Sequence, residues 1–73
     1  MAKFEVAIFN QHVVDALAAG ERHRWFKDAW ADTHYIEVEA KDEKAARRKI
    51  AAQHSADNGF IILSVEPKRD DAL

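Results

Sequence analysis

Hydrophobic and polar residues alternate through residues 3–9, KFEVAIF. Phe4, Val6 and Ile8 point to one side; Glu5, Ala7 and Phe9 point to the other. Both sets contain apolar residues, which predicts a central strand covered on both sides. Asn10 follows, and its side-chain oxygen suits the first free amides of a helix. Val13, Val14 and Leu17 then repeat at helical spacing, and Gly20 fits the position just past a helix end. In residues 21–31, ERHRWFKDAWA, the side chains of Trp25, Phe26, Ala29 and Trp30 fall on one arc of a helical wheel. Arg24, Lys27 and Asp28 fall opposite, so a second helical stretch is expected. Residues 33–40, THYIEVEA, alternate again: Ile36, Val38 and Ala40 on one side, Tyr35, Glu37 and Glu39 on the other. Asp42 reads as the N-cap of a helix over residues 43–55, whose inner surface is Ala45, Ala46, Ile50 and Ala52. Asp57-Asn58-Gly59 is a turn signal. Residues 60–66, FIILSVE, form the last expected strand, ended by Pro67.

The order is strand, helical insertion (residues 10–32), strand, helix, strand. Residues 33–66 make a βαβ unit, whose strands run parallel. The first strand inserts most simply between them, antiparallel to both. The expected fold is therefore α+β: a three-stranded sheet in the order 2-1-3, within a single domain over residues 1–67. Residues 68–73 are expected to form a flexible tail. If helix 43–55 covers the face with Val6, Ile8, Ile36, Val38, Ile61, Leu63 and Val65, the other face carries Glu5, Ala7, Phe9, Tyr35, Glu37, Glu39, Phe60, Ile62, Ser64 and Glu66. That second face has an apolar centre and an acidic border. The insertion carries the complement: Trp25, Phe26 and Trp30 beside Arg22, His23, Arg24 and Lys27. Two outcomes follow. The insertion folds over the acidic face in the same molecule, or some of this surface stays open for a partner.

Composition narrows the class. The chain has 73 residues and no cysteine, which excludes a disulfide framework and a thiolate zinc site. A domain of this size buries only about 60% of its unfolded surface. The hydrophobic fraction of 48% includes fourteen alanines, so large apolar side chains are scarcer than it suggests. Eleven basic and thirteen acidic residues give a net charge of −2, against the clear basic excess of most nucleic-acid binders. Glu5 interrupts the apolar run a signal peptide needs, and no stretch approaches the ~20 residues of a membrane span. A cytoplasmic location with no membrane partner is the expectation.

No catalytic constellation emerges. His12, His23, His34 and His54 are eleven or more residues apart, without the spacing that brings zinc ligands together, so no metal and no cofactor are expected. Glu37 and Glu39 share a strand face, yet acid–base work needs a pocket that shifts one of them. Ser55 and Ser64 sit in no nucleophile motif. The two glycines are too far apart for a phosphate loop. The segment Arg22-His23-Arg24-Trp25-Phe26-Lys27 interleaves bases with aromatics, as single-strand binders do. Lys44, Arg47 and Arg48 on the outer side of helix 43–55 could follow a phosphate backbone, although dipole complementarity and ordinary solvation place bases there too.

From His34 to Pro67 the chain resembles the small RNA polymerase inhibitors of T-odd coliphages. The shared pattern is a strand with Ile36-Glu37-Val38, an alanine-containing helix begun by acidic residues, Gly59-Phe60, and a last strand ending Val65-Glu66-Pro67. The resemblance implies a small sheet with one helix, a phage origin, action in the host cytoplasm, and bacterial RNA polymerase as partner. In that family, bases on the last strand help grip the polymerase. The matching positions here are Ser64 and Glu66, so a basic grip would pass to Arg22, Arg24 and Lys27. The expectation is a non-enzymatic protein-binding module that inhibits or modulates a host enzyme. Its partner-binding candidates are Arg22, His23, Arg24, Trp25, Phe26, Lys27, Trp30, Tyr35, Glu37 and Glu39, with Trp25, Trp30, Arg22 and Arg24 as anchors. The alternatives are a nucleic-acid binder using residues 22–27 with Lys44, Arg47 and Arg48, and a homodimer or larger homo-oligomer.

Overall fold

A computed structural model describes residues 2–68 of the chain. Strand β1 (Ala2–Asn10) is central, flanked by β2 (His34–Ala40) and β3 (Phe60–Pro67), and it runs antiparallel to both. The expected sheet order and α+β class hold. Helix α1 (Gln11–Ala18) follows β1 directly, and α2 (Glu43–Gln53) links β2 to β3. Residue 68 is ordered against the sheet, its amide donating to the Lys3 carbonyl at 2.8 Å; the rest of the expected tail lies outside the described residues.

Local chemistry sets the helix ends. The Asn10 side chain accepts from the Val13 amide, and Asp42 from the Ala45 amide at 2.8 Å, so both expected N-caps form. At the end of α1 the Gly20 amide donates to the Leu17 carbonyl and the Glu21 amide to the Ala16 carbonyl. This is the paired closure that a left-handed residue past a helix end allows, and Gly20 has φ +76°.

The core lies between the sheet and α2. Phe4, Val6, Ile8, Ala40, Phe60 and Val65 from the sheet meet Ala46 and Ile50 of α2. Alanine at position 46 lets the helix approach closely, whereas Ala52, expected on the inner surface, is exposed. The phase of β3 differs from expectation. Ile8 pairs with Ile62 and Val6 with Val65, with an irregularity at Ala7/Ile8. Two residues, Leu63 and Ser64, therefore fit where a regular strand has one, a β-bulge. The bulge puts Phe60 and Ile62 on the α2 side with Val65. Ile61 and Leu63, expected to be covered by the helix, are exposed instead.

The insertion also differs. Only Gln11–Ala18 is α-helical, and the second stretch is a loop followed by a 3-10 turn at Asp28–Ala31. It does not fold over the acidic face. Phe26 and Trp30 each set an edge against the Phe60 ring, at 5.1 Å between centroids, which places them on the same side of the sheet as α2.

Candidate protein-binding surfaces

The loop from Arg22 to Asp28 is built around His23. Its Nδ1 accepts from the Trp25 amide at 3.1 Å and the Phe26 amide at 3.3 Å. The two amides that a helix would direct at carbonyls are satisfied by one imidazole. The ring of His23 lies 5.0 Å from that of Phe26, which in turn rests on Phe60. The loop is thereby tied to the core through Phe26. Trp25, the next residue back, points away and is 75% exposed, with the Arg24 guanidinium 6.0 Å from its ring centre, at the outer range of a cation–π contact. Arg22, Arg24 and Lys27 are exposed, and together with Trp25 and Asp28 they line an open concavity of about 410 Å³. Of the sequence candidates in this segment, Phe26 and Trp30 serve the core and are not free anchors. Trp25 with Arg22, Arg24 and Lys27 is the part that faces outward.

The four histidines, far apart in sequence, meet around these rings. His12 lies nearly parallel to His23 at 6.2 Å, and Trp30 contacts both His34 (4.3 Å) and His54 (5.5 Å). The Nε2 of His34 also bonds the Ala29 carbonyl at 2.9 Å, which fixes the 3-10 turn onto the start of β2. The sequence signal for this gathering was topological: the end of β1 and the starts of β2 and β3 share one end of the sheet. Among the described residues, no group of three or more His, Asp or Glu is placed to hold a metal ion.

A second surface is the sheet face opposite α2. Of the five large apolar side chains left exposed among the described residues, three stand here: Tyr35 at 67%, Leu63 at 55% and Ile61 at 40%. Register orders the face in rows. Phe9 lies opposite Ile61, and Ala7 opposite Tyr35 and Ser64. The next row places Glu5 between Glu37 and Glu66, three carboxylates in a line across the sheet. Beyond it, Lys3 lies opposite Glu39. The Lys68 ammonium reaches the Glu37 carboxylate at 2.6 Å. That hydrogen bond and the charge behind it hold the Glu37 carboxyl below its ordinary value. The face is thus apolar at one end and acidic across its middle, and Tyr35, Glu37 and Glu39 belong to it, away from the Arg22–Asp28 loop.

Lys44, Arg47 and Arg48 are exposed on α2. The Arg47 guanidinium approaches Glu43 at 3.9 Å, the usual i,i+4 arrangement of a solvated helix. No helix among the described residues is long and apolar enough to cross a membrane. No family model, no curated protein and no solved structure matches this chain.

Proposed function

We propose that the chain is a small non-enzymatic protein-binding module that docks through its Arg22–Asp28 loop onto a partner surface with an apolar hollow bordered by carboxylates. The observation that carries this reading is Trp25. A large aromatic ring stands in solvent beside Arg24, on a loop braced by the two amide bonds to His23 and by Phe26 seated on the core. Tryptophan and arginine dominate interface hot spots. A loop already fixed in one shape loses less freedom on binding. The resemblance of residues 34–67 to phage inhibitors of RNA polymerase makes a bacterial polymerase the first partner to test, and inhibition of a host enzyme the first outcome to look for.

The test uses immobilised wild type and a Trp25→Ser/Arg24→Ser variant, each offered purified bacterial RNA polymerase and then bacterial lysate. Retention of an identified partner by the wild type alone, weakened by salt, supports the reading. Equal retention by the folded variant, or none by either, overturns it. Single-stranded nucleic acid is the competing occupant of the same basic and aromatic loop. A gel shift with oligonucleotides whose affinity falls steeply with salt would replace the protein reading.

A further inference from the structure

We infer that the acidic, apolar sheet face of one molecule is a receptor for the Arg22–Asp28 loop of a second copy. The inference rests on the proposed role of that loop as the docking element and names one occupant for it. The chemistry of the two surfaces matches in kind and in arrangement. The loop offers one projecting indole with cations on either side of it: Arg22 and Arg24 before, Lys27 after. The sheet face offers an apolar end formed by Tyr35, Ile61, Leu63 and Phe9, and immediately beside it the row Glu37, Glu5, Glu66. An indole resting on the apolar end puts flanking guanidinium groups within reach of that row. Arginine there can take a carboxylate with two parallel bonds.

The row also has a reason to accept cations. Glu5 lies directly opposite both Glu37 and Glu66 and is repelled from either side; the Lys68 ammonium is placed on Glu37, on which Lys3 also acts. A guanidinium from outside lowers the repulsion across the whole row. Two sheet faces placed against each other would instead oppose carboxylates with carboxylates. Charge therefore selects loop on face over face on face.

The contact joins different surfaces on the two copies. It either closes reciprocally into a dimer or continues into longer assemblies. Three short strands spaced about 4.8 Å apart present a few hundred Å², well below the roughly 800 Å² per partner of stable complexes. The association is therefore weak, reversible and sensitive to salt. It also competes with any external partner for the same loop, so dilution would free the loop and crowding would mask it.

Sedimentation at protein concentrations up to about 1 mM, the Kd scale of weak contacts, provides the test at low and high salt. The expected result is concentration-dependent association in the wild type that salt abolishes. It is lost in Arg22→Glu/Arg24→Glu and in Glu37→Lys/Glu66→Lys, and it returns when these two variants are mixed, because each now offers the other a matched pair. A wild type that stays monomeric throughout overturns the inference. So does association that survives Arg22→Glu/Arg24→Glu, or a mixture that stays monomeric. A monomer that still retains an external partner through Trp25 sinks this inference alone; a monomer that retains none sinks the proposed function with it.

Discussion

Asn10 offers the sharpest single perturbation. It is a polar side chain with no exposure at all, and it uses both ends of its amide. The Oδ1 accepts from the Val13 amide at 3.1 Å, and the Nδ2 donates to the Asn58 carbonyl at 3.1 Å. The same residue ends β1, starts α1 and clasps the turn before β3. Gly59 packs so closely that a Cβ there would meet Asn10 Oδ1 at 2.7 Å and His12 Cγ at 2.5 Å, and its φ of +97° suits glycine alone. Asn10→Ala removes a helix cap worth about 1 kcal/mol and a second hydrogen bond worth about another 1 kcal/mol. It also empties volume in a packed site. The sum is about 2–3 kcal/mol. At about 4–8 °C per kcal/mol for a domain of this size, the melting temperature should fall by roughly 10–20 °C. Asn10→Ser keeps an oxygen for Val13 but is too short for Asn58, so it should recover about half of the loss. Thermal and urea unfolding measure both, with the urea slope unchanged if only stability moves. An alanine variant that melts within about 3 °C of wild type, or a serine variant as damaged as the alanine one, would refute the two-bond account.

Three further outcomes follow from the same geometry. Glu5→Gln removes the central charge of the glutamate row and should raise stability by about 0.5–1 kcal/mol at low salt, a gain that shrinks as salt screens the row; a loss, or a gain indifferent to salt, would contradict it. Glu37 is held below the ordinary carboxylate value by Lys68, so its contribution to stability is full above that ordinary value and fades as pH falls through the lowered one. In Lys68→Met, an NMR titration should find the Glu37 midpoint moved upward, and an unmoved midpoint would remove the ion pair as the cause. His23→Phe keeps an aromatic ring against Phe26 but takes away the acceptor of two amides; hydrogen exchange at Trp25 and Phe26 should accelerate while the β1 amides stay protected, and unchanged exchange at both would show the imidazole is not what holds the loop.

Much of the fold was legible because local and global signals agree. The alternation in residues 4–9 and 34–40, the caps at Asn10 and Asp42 and the closure at Gly20 each name an element end, and the short βαβ unit leaves β1 one simple place. Two features were not legible, for separate reasons. Residues 60–63 are four apolar side chains in a row, so alternation cannot say which pair is interior. Pairing of Val6 with Val65 decides it, at the expense of a bulge. Over residues 21–31 the aromatic arc satisfies a helical wheel, but it reports only that Phe26 and Trp30 share a destination. His23 supplies an alternative partner for two amides, and a helix is not needed to bring those rings to Phe60. Trp25, on the same arc, was left outside. The wheel treats it like its neighbours because periodicity carries no information about a side-chain acceptor two residues away.

The bulge at Leu63 and Ser64 has a consequence for how this surface can change. Ile62 and Val65, three steps apart here, would lie two steps apart in a strand lacking Leu63, and both would still face inward. The interior therefore has no stake in that residue: β3 holds a spare link whose removal keeps the hydrophobic phase while shaving one branch from the outer side. Ordinary strands couple their two sides, so a one-residue slip turns everything over. Here the sides are uncoupled at one point, and evolution can edit the outward chemistry by changing chain length without renegotiating the core.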